Sequence, residues 1–482
     1  MLTVAVPAAA AVADPVVWPG APALGGQTEC FAQTLRDFGA SVRALAKEEA
    51  LAGQVEMALA EQVKPLLRQA LEKTLQAQAD KHGPICPHCG APLKRAKIKE
   101  RTLRSQWGEV TLRRVWGYCP KCKQWSAPAD HAIALPQSEQ NTPLYGETLA
   151  YLGTKLPASE AAEVVERVLG DAVAPSRVER QTRRAAQKAL EQREEDVQAA
   201  LSTAERHAFA REHAAGLPKE EFALLILIDG WMIRERDHWG QSEAMRRQGQ
   251  DPKRWHETKT ARIYRLPASE WHEGAVASLA GSNYVATRTE AEPFSELVWT
   301  EALRSGLLQA RRVLVVADGG AWIWNIARDR FSFAQGTLDF YHACQPMYAV
   351  AAAIFGEHTA EAKAWFEPLR HQLRHGGEAG VLHSLADLKA LIEDETARAV
   401  AQRETEYLER HRDHPGYEAK AQRGEPVGSG AIESACKQYQ VRFQRGGQFW
   451  GRNWDEGLLE LKSRQLAGRW NDLWPHRRHQ LN

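Results

Sequence analysis

Two pairs of cysteines have the spacing of a metal-binding site. Cys86 and Cys89 form one Cys-x-x-Cys pair, and Cys119 and Cys122 form a second pair. Each pair can place two thiolates on one tight turn, and two such turns supply the four ligands of a tetrahedral zinc site. Redox-active cysteines are the alternative, but the proline and glycine residues around both pairs suit zinc-binding turns better. The sequence therefore predicts one structural Zn²⁺ bound by these four thiolates.

The segment around these cysteines is strongly basic. Residues 81–130 contain eleven Lys and Arg against three Asp and Glu, whereas the whole chain of 482 residues has a net charge of only +1. A local excess of this kind is typical of a phosphate-binding surface, although a solvated charged face is the simpler alternative. We expect DNA contacts from six of these side chains, namely Lys94, Arg95, Lys97, Lys99, Arg113 and Arg114.

Three acidic residues suggest a second kind of metal site. Asp229 ends the apolar run ALLILI, Asp318 ends VLVVA, and Glu433 falls in the first turn of a helix predicted after Gly-Ser-Gly. Carboxylate oxygens are the ligands that Mg²⁺ prefers, and two such ions can promote in-line displacement at phosphorus. Each residue also has a simpler explanation, because Asp-Gly often forms a turn and a first-turn Glu complements the helix dipole. Glu418 and Glu425 are rival candidates for the third position.

The elements around these carboxylates alternate between apolar strands and helices. Three predicted strands are followed by a helix, a strand, a second helix and a strand; the strand segments are 223–230, 260–266, 282–288, 311–319 and 337–342. This order is that of the ribonuclease-H-like fold. Nucleases of that class carry acidic residues on the first strand, at the end of the fourth strand and on a late helix. The order therefore predicts that Asp229, Asp318 and Glu433 converge on two Mg²⁺ (or Mn²⁺) ions.

A helical region precedes this sheet. Residues 145–200 can form three helices, the third of which opens at Ser176 with a Ser176-x-x-Glu179 capping box after Pro175. Arg177, Arg180 and Arg184 then fall on one helical face that could enter a major groove. An ordinary three-helix bundle with solvated arginines is the alternative. We also expect backbone contacts to DNA from Arg442 and Arg445, near the end of the chain.

Taken together, these segments resemble bacterial DDE-type insertion-sequence transposases of the Kra-type group, which is related to the Mutator-like superfamily. The resemblance spans residues 80–465 and is carried by the two cysteine pairs, ILIDGW, VVADGGAWIWN, LDFYHA and VGSGAIESACK. It implies a catalytic triad of Asp229, Asp318 and Glu433. It also implies a role near the metal ions for Asp339 and His342, which match the Asp-x-x-His signature; a simple hydrogen-bonded pair is the alternative. The mostly helical stretch 343–423 lies where that superfamily inserts an all-helical domain.

We therefore predict a multidomain α+β protein with a ribonuclease-H-like catalytic domain. The predicted parts are a disordered leader (1–27), N-terminal helices (28–82), a zinc ribbon (83–136), helix-turn-helix-like helices (137–213), the first catalytic part (214–342), an all-helical insertion (343–425), and the second catalytic part with the tail (426–482). No apolar run is long enough to span a membrane, and the first basic residue, Arg36, comes too late for a secretory signal. We expect a bacterial cytoplasmic, nucleoid-associated protein.

The expected activity is Mg²⁺-dependent cleavage and strand transfer of double-stranded DNA at the terminal inverted repeats of an insertion sequence. Two ends must be joined to one target, so we expect a homodimer or a larger assembly on DNA. Two alternatives stay open. One is another ribonuclease-H-like nuclease, such as a resolvase, and the other is a domesticated DNA-binding regulator that keeps the fold.

Overall fold

A computed structural model describes residues 27–47, 50–135, 139–236, 241–250, 254–274, 278–414 and 416–478. The predicted leader lies outside these residues, except for Gln27. The chain divides into two compact units. We call Met1–Leu149 with Glu163–Val173 the N-terminal unit, and Ala150–Ala162 with Ala174–Asn482 the C-terminal unit.

The N-terminal unit combines helices with a small antiparallel sheet of order β1-β2-β3. Its elements are α1 (Gln27–Leu45), α2 (Ala52–Ala79), β1 (Lys94–Ser105), β2 (Gly108–Cys119), β3 (Gln124–Ser126) and α3 (Pro128–Ala132). Leu71 and Leu75 of α2 pack on a buried cluster that includes Leu103 and Leu112 of the sheet. The two long paired strands thus place the cysteine pairs at one end of a ribbon.

Helix α2 also protects the open side of β2. Backbone N–H groups of Thr111 and Arg113 donate to Glu72 Oε2 and Gln76 Oε1, each at 2.9 Å. Strand β3 pairs only with the end of β2, from Gly117 to Cys119. These two side chains therefore satisfy donors that a sheet edge would otherwise present to other chains.

The helices predicted as a separate DNA-binding domain do not form one compact unit. Helices α4 (Pro143–Lys155) and α5 (Ala158–Leu169) have residues in both units, whereas α6 (Pro175–Leu201) and α7 (Arg206–Glu212) belong to the C-terminal unit. The prediction of a capping box at Ser176 is wrong. Helix α6 starts with Pro175 at its first position and Ala174 as its cap, without a side-chain hydrogen bond. Proline fixes a helical φ and needs no N–H partner there, so it starts the helix alone.

A mixed five-stranded sheet forms the centre of the C-terminal unit. Its strands are β4 (Phe222–Glu235), β5 (Arg254–Pro267), β6 (Asn283–Thr287), β7 (Arg312–Ala317) and β8 (Gln335–Leu338), in the spatial order β6-β5-β4-β7-β8. Strand β5 is antiparallel to both β4 and β6, and the strands β4, β7 and β8 are mutually parallel. The five predicted strands are all present.

Helices cover both faces of this sheet. They are α9 (Ala291–Arg304), α10 (Ala321–Arg330), α16 (Gly430–Phe443) and α17 (Arg452–Leu466), besides α6 and α7. Two short helices, α8 (Ser242–Arg247) and α18 (Pro475–Arg478), also belong to this unit. Leu224, Ile226 and Ile228 of β4 pack with α6, α9 and α10. Leu225 and Leu227 pack with α16 and α17 on the opposite face. Burial on both faces explains the uninterrupted apolar run of β4.

In the described part of the chain, five helices lie between β8 and α16. They are α11 (Phe340–Phe355), α12 (Ala360–His375), α13 (Glu378–Leu391), α14 (Glu395–Arg410) and α15 (Tyr417–Gln422), and we call them the helical unit. They share a buried cluster that includes Met347, Leu373, Leu385 and Leu408. Across the described residues, the structure has no helix that is both long and apolar enough to cross a membrane.

Two strands differ from the predicted bounds. Strand β4 does not end at Asp229 but continues to Glu235, because Trp231 and Ile233 keep the inward alternation. Strand β8 ends at Leu338, and Asp339 caps α11 by accepting a hydrogen bond from the His342 N–H. An aspartate at this position favours starting the helix over extending the strand.

A buried charge cluster joins β4, β6 and α17. Arg288, which follows β6, forms ion pairs with Glu235 and, at 2.7 Å, with Asp455 Oδ2; both carboxylates are fully buried. Burial raises the pKa of Asp455 to about 7; the neighbouring Glu456 adds to this, whereas Arg288 opposes it. One guanidinium thus serves two buried carboxylates.

This arrangement predicts a pH-dependent stability that Asp455→Asn removes. The pKa of Asp455 in the folded chain lies above its unfolded value of about 3.9, so between about pH 4 and 7 the folded state binds a proton that the unfolded state lacks. This contribution makes the free energy of unfolding decrease as pH rises, by at most about 1.4 kcal/mol per pH unit. Urea unfolding at pH 5 and pH 7 measures it. Equal pH dependence in the native chain and in Asp455→Asn would contradict the prediction.

Candidate active site and metal centre

The four predicted cysteines come together at one end of the ribbon. Their sulfur atoms all lie within 4.8 Å of one another, with Cys89 Sγ 3.5 Å from Cys119 Sγ and Cys86 Sγ 3.9 Å from Cys122 Sγ. The Cys122 N–H donates to Cys119 Sγ at 3.3 Å and lowers the pKa of that thiol to about 7. This cluster could hold one structural metal ion such as Zn²⁺, and four thiolates are a complete tetrahedral ligand set.

We predict that the purified chain contains one Zn²⁺ and that Cys119→Ser removes most of it. A structural zinc supplies folding free energy directly, so the ribbon should also unfold when a strong chelator is added. Elemental analysis and proteolysis of the ribbon test both results. Cys344→Ser is the matched control, because Cys344 is buried in the helical unit, outside the cluster. Native ribbon protection without zinc would contradict the prediction.

Most of the basic side chains predicted on the ribbon are at its surface, but one is not. Arg114 is only 7% exposed and is bonded to Asp130 and to the Lys99 carbonyl oxygen, each at 2.9 Å. The structure therefore argues against Arg114 as a DNA contact, because its guanidinium fixes α3 to the sheet. The exposed residues of the predicted set are Lys94, Arg95, Lys97, Lys99 and Arg113.

The predicted basic residues of the C-terminal unit also divide into two groups. Arg442 is 5% exposed, packs over Trp450 and donates to the Gly153 carbonyl oxygen at 3.2 Å, so it is a core residue and not a DNA contact. Arg445 is partly exposed and forms an ion pair with Glu160. On α6, Arg180 is exposed, whereas Arg177 and Arg184 are half-buried and have partners of their own.

Three aspartates lie at one edge of the central sheet. In the parallel register Ile228 is opposite Ala317, and Ala317 is opposite Leu338. The residues that come next are Asp229, Asp318 and Asp339. Because the three strands are adjacent and parallel, this register places the three residues at one level of the sheet, at the carboxyl ends of β7 and β8 and at the matching position of β4. We call this the carboxylate edge.

Both carboxylate oxygens of Asp229 accept hydrogen bonds. Oδ1 accepts from the Gly230 N–H at 2.7 Å, and the Cys436 thiol of α16 donates to Oδ2 at 3.6 Å. Burial raises the pKa of Asp229, and the negative charge of Asp318 adds to this effect. Two carboxylates that repel each other in this way favour the binding of a cation between them.

Asp318 occupies a turn between β7 and α10. Its Oδ1 accepts from the Gly320 N–H at 2.9 Å, and its carbonyl oxygen accepts from Trp324 Nε1 at 2.8 Å. Trp324 and Trp322 are half-buried and pack against the core, and Trp231 is buried. The turn is thus fixed through both the side chain and the backbone of Asp318.

Asp339 and His342 form a hydrogen-bonded pair beside this turn. Asp339 is fully buried, and its Oδ1 accepts from the N–H of His342 at 2.7 Å and from His342 Nδ1 at 3.0 Å. Burial acts to raise the pKa of Asp339, but the hydrogen bonds from His342 and Ser429 outweigh it and lower the pKa. Asp339 in turn raises the pKa of His342, with smaller contributions from Asp318 and Asp229. The imidazole therefore lies within the electrostatic reach of all three aspartates.

Glu433 projects from the first turn of α16 and is exposed. Its Oε1 accepts from Ser429 Oγ at 3.1 Å, and Ser429 N–H donates to Asp339 Oδ2. Cys436, which contacts Asp229, follows one turn later on the same helix. Glu433 is therefore linked to Asp339 through Ser429 and to Asp229 through its own helix. The rivals are placed elsewhere, because Glu425 pairs with Arg312 and Arg423 and Glu418 faces His375.

The carboxylates do not form a closed metal site in this conformation. Within the described parts of the chain, the four cysteines are the only group of three or more potential ligand residues whose donor atoms all lie within 4.8 Å of one another. Of the three residues predicted to converge, Asp229 and Asp318 therefore share the carboxylate edge, whereas Glu433 lies on α16, and the three do not form a compact triad. No protein-family model and no curated protein matches this chain.

The site also contains residues that the sequence did not indicate. Cys436 contacts Asp229, and Tyr407 of the helical unit contacts the turn after Asp318. The i, i+3 spacing of Glu433 and Cys436 places both on one helical face, and this spacing could have suggested Cys436. Nothing in the local sequence indicates Tyr407, because its partner lies almost ninety residues earlier.

Proposed function

We propose that this chain is a DDE-type DNA transposase with a ribonuclease-H-like catalytic domain. The observation that carries the proposal is the carboxylate edge. Numbered along the chain, the five strands of the central sheet have the spatial order 3-2-1-4-5, and only the second strand is antiparallel to its neighbours. This is the strand order of the ribonuclease-H-like fold. Acidic residues on the first and fourth strands and on a late helix then occupy the positions that the family resemblance assigns to catalysis.

Asp229, Asp318 and Glu433 would hold the divalent ions. The donor set suits Mg²⁺ or Mn²⁺, because it consists of carboxylate oxygens. Burial and, to a smaller extent, the charge of Asp318 raise the pKa of Asp229, and a bound cation would offset both effects. When bound, a pair of such ions activates the attacking oxygen and stabilises the leaving one. Of the three residues, Glu433 is the most exposed.

Asp339 and His342 have a supporting part in this proposal. Asp339 fixes the start of α11 and holds His342 Nδ1, so Nε2 is left for a phosphate oxygen or a water molecule. The raised pKa of His342 favours the imidazolium, which can offset negative charge near the scissile phosphate. The pair also joins the helical unit to the carboxylate edge.

The ribbon would recognise the terminal repeats through the phosphate backbone. We predict that a triple variant with alanine at Lys94, Lys97 and Lys99 binds a terminal-repeat duplex more weakly at every salt concentration. Each lost phosphate contact reduces the slope of log affinity against log salt by about 0.9, so the slope should fall by about 2.7. Gel-shift titrations at four salt concentrations measure it.

The control for this prediction is a second triple variant with alanine at three exposed basic residues of the helical unit: Lys363, Arg370 and Arg403. It should leave the slope unchanged. An unchanged slope in the ribbon variant, or equal losses in the two variants, would show that the ribbon does not hold the DNA backbone.

The proposal is tested with DNA that carries the inverted repeats flanking the gene. The chain should nick or cut at the repeat ends in Mg²⁺ or Mn²⁺ and should join pre-cut ends to a target plasmid, with two or more protomers in the DNA-bound complex. Cleavage without joining would favour a nuclease such as a resolvase. Specific binding without cleavage would favour a DNA-binding regulator.

A further inference from the structure

The helical unit contacts the turn that carries Asp318. Tyr407 of α14 packs so closely on Gly319 that a Cβ atom at Gly319 would overlap both its hydroxyl and its ring. The φ of Gly319 is not positive, so backbone conformation does not explain the glycine here. The close approach of Tyr407 from the helical unit explains why this position is a glycine.

A second contact reaches the same turn through Trp324. Its indole N–H donates to the Asp318 carbonyl oxygen at 2.8 Å, and its ring stacks on His414, with centroids 3.9 Å apart and planes 12° from parallel. His414 is in turn fixed by Lys420, whose Nζ donates to the His414 carbonyl oxygen at 2.6 Å and to the Gly336 carbonyl oxygen of β8 at 2.7 Å.

His411 fills the space between these two contacts. It is buried, and its ring lies 4.9 Å from that of Tyr407 and 5.8 Å from that of Trp324. Tyr407, His411 and His414 thus form one aromatic cluster at the end of α14. We call it the α14 clamp.

We infer that the α14 clamp positions Asp318, with Tyr407 acting through Gly319 and His414 acting through Trp324. Its three members are positioning residues and need not touch DNA. On this inference, which rests on the proposed function, the helical unit completes the active site and is more than a spacer between Asp339 and Glu433. Docking of α14 on the turn then sets the direction of the second catalytic carboxylate.

The expected effects follow from geometry. A displacement of about 1 Å at a catalytic group can cost about 100-fold in rate. Gly319→Ala forces the turn away from Tyr407, so cleavage should fall by about 100-fold. Tyr407→Ala leaves a gap beside the turn and should reduce the cleavage rate by about tenfold. The double variant gives the new methyl group the space of the lost ring, so it should cleave at least tenfold faster than Gly319→Ala alone.

Two control variants separate this result from general loss of stability. Gly216→Ala adds a methyl group where no atom lies within 4 Å. Tyr348→Ala removes a half-buried tyrosine from α11 of the same helical unit, at the contact with His358 and Phe366. Both should cleave like the native chain. A loss in Tyr348→Ala equal to that in Tyr407→Ala would overturn the inference.

A measurement that does not need cleavage tests the inference independently. Mn²⁺ binding to each full-length variant is followed by electron paramagnetic resonance of the free ion, with Asp318→Asn as the reference. We expect weaker Mn²⁺ binding in Gly319→Ala and recovery in the double variant with Tyr407→Ala. If native binding does not depend on Asp318, the proposed function fails. If it does depend on Asp318 but is unaltered in Gly319→Ala, the clamp inference alone fails.

Trp324→Phe covers the case in which Gly319→Ala does not fold. It removes the indole N–H that binds the Asp318 carbonyl oxygen and leaves a smaller aromatic ring beside His414. We expect kcat to fall about tenfold with KM for the repeat duplex unchanged. A native kcat in this folded variant, together with no rescue in the double variant, would overturn the inference.

Discussion

Asp229→Asn, Asp318→Asn and Glu433→Gln are each expected to reduce cleavage of a labelled terminal-repeat duplex by at least about 1,000-fold. Each amide keeps the shape of the side chain and one carbonyl oxygen but loses the negative charge that, on the proposed function, would hold a divalent cation. Metal ions contribute several kcal/mol of charge stabilisation to phosphoryl transfer, and about 4 kcal/mol corresponds to about 1,000-fold in rate. Cleavage in Mg²⁺ is measured beside a gel-shift titration.

DNA binding should survive in all three variants, because the exposed lysines of the ribbon lie in the other compact unit. It should become slightly tighter, since a negative charge near the phosphate is removed. Asp329→Asn is the matched control, because Asp329 is an exposed aspartate of α10 that forms an ion pair with its neighbour Arg328. Substantial cleavage by Glu433→Gln would show that another carboxylate completes the site, with Asp339 the first to test. Full activity in all three variants would remove the transposase proposal.

Arg288→Ala is expected to destabilise the C-terminal unit by about 3–5 kcal/mol. Removing one partner of a buried ion pair leaves an uncompensated charge, and here two fully buried carboxylates, Glu235 and Asp455, lose their shared guanidinium. Protonation of Asp455, with its pKa already raised to about 7, offsets only part of the penalty. Urea unfolding at pH 8 measures the loss.

The control is Arg328→Ala, which removes an exposed ion pair with Asp329. Pairs of this kind are worth at most about 1 kcal/mol, so the midpoint of unfolding should hardly move. Equal losses in the two arginine variants would mean that the buried cluster contributes no more than a surface pair. The charge cluster would then fix how β4, β6 and α17 align without adding to the free energy of unfolding.

The parts of the fold that could be predicted are those set by local pattern. The apolar runs of β4 and β7 require burial on both faces, and the Cys-x-x-Cys spacing requires tight turns, so both follow from short stretches of sequence. Glu433 follows from Gly-Ser-Gly at a helix start. The extension of β4 beyond Asp229 could also have been predicted from local pattern, because Trp231 and Ile233 continue the inward alternation on the far side of the Asp-Gly pair.

The parts that could not be predicted depend on contacts between distant segments. Arg114 looks like any other basic residue of the ribbon until Asp130 is placed beside it. Arg442 is similar, since it is buried by Gly153 of α4 and by Trp450, which forms a bridge with Glu235 at the end of β4. Burial of a charge is decided by which partner the fold supplies, and a single sequence does not contain that pairing. The same limit applies to Tyr407 and Gly319.

The separation of the carboxylates along the chain has a consequence during protein synthesis. The last segment of the N-terminal unit ends at Val173, whereas Glu433 and the α17 helix that packs on β6 and α6 are translated much later. At about 5–20 residues per second, the ribosome needs about 10–50 seconds to cover that interval. On the proposed function, a nascent or prematurely terminated chain could hold a transposon end before it can cut one. Abortive translation products would then act as dominant-negative competitors, and their abundance would limit how often the element moves.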